Sequence, residues 1–251
     1  MIIKTKAIVI KEYIVGESDK YITLFSKDLG KIQVMAPKAK KHDRGLSSGT
    51  ELFVYGEFML ARYRSTYRLM EIEVISTFHD IRNDLSVLSY GSYILEFIAE
   101  VTQEELNNEA LFRLTLNALK ALIQGKLQLK LIRNIFELRA LSLLGFMPQL
   151  EECTECGGII GEEPHKAYFF VCEGGGTICD SCHAYYPGAF KIGYSTLYTM
   201  KYIVASPLNQ LFNFNVQPAL LHELEEICNG YISYYIGKQF KTVDFINQID
   251  N

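Results

Sequence analysis

The sequence contains Cys153-Thr154-Glu155-Cys156 and, 22 residues later, Cys179-Asp180-Ser181-Cys182. In a Cys-x-x-Cys turn both thiolates can point to the same side, so two such turns can surround one metal ion tetrahedrally. Four cysteine ligands leave no open coordination position, so we expect one structural Zn²⁺ ion and not a catalytic one. Its binding would help to fold a segment too short to form its own core. The sequence therefore predicts a zinc ribbon at residues 151–190.

Other residues near the cysteine pairs are weaker candidates for metal ligands. Cys172 follows an apolar run and Cys228 lies on an apolar helical stripe, so both are predicted to be small buried hydrophobic residues. His165 and His183 could at best substitute for a missing ligand. An iron–sulfur cluster is an alternative use of four cysteines, but two symmetric pairs at this spacing fit a zinc ribbon better. The four thiols could also be reduced and buried without a metal.

The segments on both sides of the cysteines have a helical period. Apolar residues recur about every 3.6 positions in five stretches, and each stretch has only one apolar face. The predicted helices span residues 86–100, 108–124, 128–144, 195–205 and 218–237. Because amphipathic helices must bury their apolar faces against one another, we expect residues 84–148 and 194–240 to share one bundle core.

The first eighty residues have the alternation of strands. Five short strands are predicted at residues 7–13, 21–25, 31–35, 52–61 and 67–75, with turns at Gly16 and Gly30. Five antiparallel strands of this size are typical of a small Greek-key barrel. The OB-fold is the commonest barrel of this kind that binds nucleic acids. The predicted fold is therefore α+β and multidomain. It comprises an OB-fold barrel (1–82), a helical bundle in two parts (83–150 and 191–251) and the inserted ribbon (151–190).

Charge is distributed unevenly along the 251 residues. The chain has 25 Lys+Arg, 29 Asp+Glu and 49% hydrophobic residues, which excludes disordered and collagen-like proteins. The formal charge is −4 overall, but residues 1–82 carry +4 and the remainder carries −8. A basic first domain indicates a local site for a polyanion. The same charge also occurs in domains that bind no anion.

The basic side chains of the predicted barrel form two groups. Lys38, Lys40, Lys41 and Arg44 lie in a polar loop between the third and fourth strands, and Arg62, Arg64 and Arg68 lie on the last two strands. Among these cations are the aromatic residues Tyr13, Tyr21, Phe25, Phe53, Tyr55, Phe58, Tyr63 and Tyr67. Cations mixed with aromatics are how single-strand-binding proteins hold phosphates and stack bases. Most of these aromatics should pack inside the barrel, and the loop could be merely solvated surface.

Enzyme motifs are incomplete in this sequence. His222-Glu223-Leu224-Glu225-Glu226 has Glu226 where a zinc protease needs its second histidine. The glycine spacing of Gly188 to Ser195 resembles a P-loop, but Tyr194 replaces the lysine. We therefore expect a protein that is not an enzyme. No window approaches the roughly 18–20 apolar residues of a spanning helix, and Met1 is not followed by a signal sequence, so we expect a cytoplasmic protein without membrane contact.

Short motifs along the whole chain carry a resemblance to a known family. They are Gly16-Glu17-Ser18-Asp19-Lys20, Leu24-Phe25, Gly30-Lys31-Ile32, Ala39-Lys40-Lys41, Tyr55-Gly56, Ile81-Arg82-Asn83-Asp84-Leu85, Leu144-Gly145-Phe146-Met147-Pro148 ahead of Cys153, and residues 175–182. In their order and spacing they resemble the RecO family of bacterial recombinational repair proteins. Two positions depart from the family pattern. Lys38 stands where a glycine is common, and Leu52 stands where a proline is frequent.

The resemblance implies a non-enzymatic recombination mediator with an OB-fold, a helical bundle and a zinc module. Such a protein binds single- and double-stranded DNA, anneals complementary strands and, with its partner RecR, helps to load RecA onto DNA coated with single-strand-binding protein. It also implies contact with the acidic C-terminal tail of single-strand-binding protein and a nucleoid-associated, cytoplasmic location in bacteria. Two alternatives stay open: an RNA-binding accessory factor of transcription or translation, and a scaffold that binds only proteins.

Overall fold

The computed structural model describes residues 1–39, 46–64, 66–162 and 167–249. The chain divides into two compact units. The first unit comprises residues 1–123 together with the C-terminal residues from Phe240 on, and the second comprises residues 124–239. The division at residues 123–124 falls inside the first part of the predicted helical bundle, residues 83–150. The predicted domain limits at 82, 150 and 190 and the shared bundle core stay a prediction.

The first unit contains a closed five-stranded barrel. Its strands are β1 (Ile2–Val15), β2 (Asp19–Ser26), β3 (Gly30–Ala36), β4 (Tyr55–Tyr63) and β5 (Thr66–Ser76). They are joined in the order β1-β2-β3-β5-β4, and only the pairing of β3 with β5 is parallel. The inward-facing positions form one apolar core, to which Val9, Ile22, Leu24, Val34, Phe58 and Leu60 belong. The predicted OB-fold barrel is confirmed.

The fourth strand begins later than predicted. The sequence predicts it from residue 52, whereas β4 begins at Tyr55. The reason is the backbone of Phe53, whose left-handed φ of 70° lies far from the values of a regular strand. The Phe53 ring is buried and packs beside Gly91, where an added Cβ would lie 3.2 Å from it. Leu52 therefore lies in the connection before the strand, where its carbonyl accepts a hydrogen bond from Arg82 (3.0 Å).

Four α-helices are found among the described residues of the first unit. They are α1 (Leu46–Gly49), α2 (Leu85–Val101), α3 (Glu109–Gln124) and α7 (Lys241–Ile249). Asp84 caps α2 by accepting a hydrogen bond from the Val87 N–H (2.9 Å). Helix α7 packs on α2, and the Glu96 carboxylate accepts the N–H groups of Lys241 and Thr242 (3.2 and 3.1 Å). The sequence did not predict α7.

The described part of the second unit combines three α-helices with a small sheet. The helices are α4 (Leu129–Leu143), α5 (Tyr194–Ala205) and α6 (Pro218–Ile236), which pack on one another. The strands β6 (Tyr168–Val171), β7 (Gly176–Cys179) and β8 (Phe190–Ile192) form an antiparallel sheet in the order β7-β6-β8. Inside this unit Arg133 and Glu137 form a buried ion pair (2.7 Å). Among the described residues, no helix has both the length and the hydropathy to cross a membrane.

Candidate metal centre and nucleic-acid interface

The four predicted cysteine ligands converge on one point in the second unit. The Sγ atoms of Cys153, Cys156, Cys179 and Cys182 all lie within 4.8 Å of one another. The Sγ atoms of Cys156 and Cys179 are 3.8 Å apart. A tetrahedral zinc ion with bonds of about 2.3 Å has sulfur–sulfur edges of roughly 3.8 Å. The four cysteines are therefore close enough to bind a metal ion, and the Cys156–Cys179 distance matches one edge of a zinc site.

Backbone hydrogen bonds hold the two cysteine turns in this arrangement. The Gly157 N–H donates to the Cys153 carbonyl (2.9 Å), and the Cys153 N–H donates to the Gly158 carbonyl (2.7 Å). Gly157 has a φ of 71°, which closes the turn at little cost because glycine has no Cβ. Cys179 is the last residue of β7, and the Cys182 N–H donates to its carbonyl (3.1 Å). The fold thus preorganises the site.

The surroundings of Cys153 favour its thiolate form. Burial acts to raise its pKa, but backbone N–H groups of Cys156, Cys179 and Glu155 donate to the sulfur and lower the pKa to about 6. The N–H of Cys179 lies 3.4 Å from the Cys153 Sγ. Because the thiolate is the form that binds metals, these donors prepare Cys153 to act as a ligand.

The weaker candidates within the described residues, His183, Cys172 and Cys228, do not belong to this cluster. The His183 ring stacks on Phe169 with centroids 3.8 Å apart. Cys172 is half-buried, and burial raises its pKa to about 11. Cys228 is buried, as predicted, and lies 3.7 Å from the Asn134 carbonyl oxygen. His165 lies outside the described residues. Within the described chain the only group of metal-binding side chains is therefore the four cysteines.

A row of three exposed side chains and the half-buried Met35 crosses the outer surface of the barrel. Tyr13 on β1 pairs with Tyr21 on β2, Tyr21 pairs with Met35 on β3, and Met35 pairs with Arg68 on β5. Tyr13 and Tyr21 are 56% and 41% exposed, and Arg68 is exposed as well. Two aromatic rings, a thioether and a guanidinium therefore lie side by side across four strands. We call these four residues the cross-strand row.

An open groove lies beside the cross-strand row. Its volume is about 500 Å³, and its lining includes Tyr21, Gln33, Tyr63, Arg68, Glu104 and Glu105. The two glutamates come from the connection between α2 and α3, which lies against β3. The groove thus has aromatic and basic groups on the barrel and carboxylates on the opposite wall.

Comparison with known proteins agrees with this architecture. The N-terminal family described as "Recombination protein O N terminal" matches residues 1–78, and the one described as "Recombination protein O C terminal" matches residues 82–244. The chain belongs to the RecO family of DNA repair proteins. The matches leave few residues uncovered, so the family relationship includes the barrel, the helices and the cysteine-rich segment.

Several curated relatives cover the whole chain. "DNA repair protein RecO" of Acetivibrio thermocellus is 34% identical over 248 residues, which are 99% of this chain and 97% of the relative. Proteins of the same name from Thermoanaerobacter sp. and Bacillus pumilus are each 30% identical, over 100% of this chain and 99% and 96% of their own lengths. The RecO-family assignment thus rests on full-length similarity.

The basic residues predicted to bind DNA in this RecO-family barrel differ in their exposure and pairing. Lys38, Arg64 and Arg68 are exposed, and the structure shows no ion pair for them within the described residues. Arg62 is engaged: its Nη2 donates to both carboxylate oxygens of Glu105 (3.0 and 3.2 Å). Lys40, Lys41 and Arg44 lie outside the described residues. As predicted DNA-binding residues, all seven stay a prediction.

The aromatic residues of the RecO-family barrel also separate into two groups. Phe25, Phe53, Phe58 and Tyr67 are buried, Tyr55 is half-buried, and Tyr13, Tyr21 and Tyr63 are exposed. Of the four buried aromatics, Phe58 and Tyr67 belong to the barrel core, whereas Phe25 packs against Phe112 of α3 and Phe53 lies beside Gly91. The expectation that most of the eight pack inside the barrel stays a prediction. Three tyrosines are left that could contact a ligand.

Sequence reasoning missed the acidic wall of the groove. Glu104 and Glu105 lie in a helix connection that has no motif, and only the tertiary fold brings them to the barrel. The Tyr67 hydroxyl donates to Glu105 (2.6 Å), and both burial and this carboxylate raise the pKa of Tyr67. Lys31 also lines the groove, but its Nζ donates to the Ala99 carbonyl (2.7 Å).

Proposed function

We propose that this RecO-family protein is a non-enzymatic mediator of recombination that binds single- and double-stranded DNA and anneals complementary strands. With RecR, it would assist the loading of RecA onto DNA coated with single-strand-binding protein. The observation that supports DNA binding most directly is the cross-strand row beside an open groove. The outer face of strands 2 and 3 is where OB-folds bind oligonucleotides, and Tyr21 and Met35 lie on these strands.

The proposed contacts divide between stacking and charge. Exposed tyrosines offer flat faces to unpaired bases, and such stacking is worth about 1–3 kcal/mol per base without regard to sequence. Lys38, Arg64 and Arg68 would hold the phosphates, together with Lys40, Lys41 and Arg44 of the loop. None of these groups reads base edges, so binding should be independent of sequence. Annealing would follow because phosphates of two strands are neutralised at once.

The cysteine cluster has a structural role in this proposal. One Zn²⁺ held by Cys153, Cys156, Cys179 and Cys182 would supply free energy for folding the surrounding segment. We propose that the helices and the ribbon contact partner proteins, which include RecR and the acidic C-terminal tail of single-strand-binding protein. A protein with these partners would act at the nucleoid of a bacterial cell.

The test is the affinity for a fluorescent single-stranded DNA oligomer, measured across a series of salt concentrations. The wild-type protein should show a linear fall of log affinity with log salt, with a slope of about 0.7 per phosphate contact. Arg68→Gln should weaken binding to all sequences and flatten the slope by about one contact. Charge reversal at Lys38, Lys40, Lys41 and Arg44 should do so more strongly.

A matched control comes from the same barrel. Lys4 is exposed on β1 near Glu57 and Glu71, away from the cross-strand row. Lys4→Gln removes the same charge as Arg68→Gln but at a position away from the row. If DNA is held only by local contacts, this variant should leave the salt slope unchanged. Binding by wild type that is weak and independent of salt would contradict the proposal, and tighter binding to RNA than to DNA would favour the RNA-binding alternative.

A further inference from the structure

The Glu105 carboxylate occupies hydrogen-bond donors that suit a phosphate. Arg62 Nη2 donates to its Oε1 and Oε2 (3.0 and 3.2 Å), and the Tyr67 hydroxyl donates to Oε1 (2.6 Å). The Arg62 guanidinium also lies over the Tyr67 ring, 5.2 Å from its centroid. Guanidinium groups bind carboxylates and phosphates with the same donor geometry. Glu105 therefore occupies donors of the kind that bind phosphates.

The fold holds the backbone of Glu105 against the barrel. The Glu105 N–H donates to the Lys31 carbonyl (3.0 Å), and the neighbouring Glu104 forms a parallel bridge with Lys31. A Cβ added to Gly30 would collide with the Leu106 carbonyl, so the connection lies directly on the backbone of β3. The position of Glu105 is therefore set by backbone contacts on both of its sides.

The backbone of Glu105 is strained. Its φ is 55°, in the left-handed region that side chains with a Cβ rarely adopt. Such strain persists only where surrounding contacts over-determine it, and it is concentrated at functional sites. A glycine or asparagine would be the expected residue if the connection needed only this turn. The presence of a glutamate in this conformation points to a role for the carboxylate itself.

We propose that Glu105 is a built-in competitor of nucleic-acid phosphate, which keeps Arg62 and the Tyr67 hydroxyl engaged until a phosphate displaces it. This inference rests on the proposed function, because it needs single-stranded DNA in the groove. Displacement would have to break the ion pair of Arg62 with Glu105 before Arg62 could join Arg68 in holding the strand. The competitor would thus limit affinity and make the bound strand easier to release.

The experiment uses the full chain and a fluorescent single-stranded DNA oligomer. Glu105→Gln keeps the size of the side chain and an acceptor for Arg62, but it removes the charge that competes with phosphate. We expect affinity to rise about two- to tenfold, as suits a partly exposed ion pair, and the salt slope to rise by about 0.7, which is one phosphate contact. Glu105→Asn is a second variant, because asparagine tolerates this φ and is too short to pair with Arg62.

Two controls test whether the effect is local. Glu104→Gln removes the same charge from the same groove, but Glu104 accepts only from Gln33 among the described residues (3.3 Å). It should raise affinity less than Glu105→Gln does. In an Arg62→Gln background, Glu105→Gln should give no gain. Equal gains from both glutamates, or a gain that persists without Arg62, would overturn the competitor role in favour of a general charge effect.

The outcome also separates this inference from the proposed function. If Arg68→Gln weakens binding while neither Glu105 variant strengthens it, the groove binds DNA and the competitor role is wrong. If the wild-type protein binds single-stranded DNA weakly and independently of salt, both proposals fail. Thermal unfolding of each variant, compared with wild type, shows whether a change in affinity reflects a change in folding.

Discussion

Backbone strain marks the candidate interface at the scale of single residues. Five described non-glycine residues have a positive φ, and three of them, Lys38, Arg64 and Glu105, are residues to which the proposals above assign a role in DNA binding. Each costs about 1–2 kcal/mol relative to ordinary backbone. Lys38 has a φ of 57°, a conformation that glycine would adopt at lower cost because it has no Cβ. The lysine therefore adds a charge at an energetic cost.

Arg64 allows strain and binding to be separated. It has a φ of 53° in the tight turn between β4 and β5, and its side chain is exposed. Arg64→Gly should raise the free energy of unfolding by up to about 1 kcal/mol, because glycine relieves the strain but gains entropy when unfolded. The same change should weaken binding of single-stranded DNA. Denaturant unfolding and fluorescence anisotropy measure the two effects.

Arg64→Ala is the control for this prediction. Alanine removes the charge but keeps a Cβ, so DNA binding should fall as it does with glycine while stability does not rise. A glycine variant that is no more stable than the alanine variant would show that the turn is not strained. Equal DNA affinity in wild type and both variants would remove Arg64 from the interface.

Turn glycines show how the elements of the barrel depend on their neighbours. Gly30 begins β3 with a φ of 70°, and an added Cβ would collide with the Leu106 carbonyl. Gly30→Ala should therefore lower the free energy of unfolding by about 2–4 kcal/mol, from strain and overpacking together. Gly16 has a similar φ of 65° but nothing within 4 Å of an added Cβ. Gly16→Ala should lower the free energy of unfolding by only about 1 kcal/mol. Denaturant unfolding of both variants would show whether the contact of Gly30 with the α2–α3 connection causes the larger loss of stability.

Elements with a strong local pattern could be predicted from the sequence. The predicted helix at 128–144 is observed at Leu129–Leu143, because its apolar period and the following Gly145 are local signals. Helix α7 could not be predicted in this way. It is nine residues long and depends on Phe240 stacking against Phe97 and on Glu96 at its N-terminus. These contacts span more than 140 residues of sequence, where a local pattern gives no information.

The two candidate sites also differ in how far the local sequence predicts them. The cysteine spacing predicts the cluster because each Cys-x-x-Cys turn fixes its own geometry, and only the meeting of the two turns depends on the fold. Arg62 and Arg68 look equivalent in sequence, yet Arg62 is paired with Glu105 and Arg68 is exposed. Their difference arises from a connection about forty residues away. Charge pattern could therefore identify the barrel as basic but not which cations are available.

At the scale of the whole molecule, the two compact units keep the two candidate sites on different parts of the chain. The cross-strand row lies in the first unit and the cysteine cluster in the second. Each unit has its own buried residues, such as Phe58 in the barrel and Phe136 in α4. If the metal only stabilises its own surroundings, its loss should be felt in the second unit and reach DNA binding only indirectly.

Cys153→Ser tests this separation in the full chain. The variant should lose bound zinc, which is measured by mass spectrometry of the metal. Its affinity for zinc should fall by more than the roughly 10- to 100-fold that follows the loss of a hydrogen bond to a ligand. Amide hydrogen exchange should accelerate near Thr154 and Thr177, whose backbones are hydrogen-bonded (2.9 Å), but not in β1 to β5. Affinity for single-stranded DNA should change less than about twofold, since the groups proposed to bind phosphate are in the barrel.

The half-buried Cys172 provides the control for this change, because it lies outside the cluster. Cys172→Ser should retain one zinc ion per chain and wild-type exchange near Thr154. Full zinc content in Cys153→Ser would exclude Cys153 as a ligand. Faster exchange throughout the barrel, with a parallel loss of DNA affinity, would show instead that the metal stabilises the whole molecule. If each unit is stable on its own, loss of the metal from the second unit cannot expose the amides of the first.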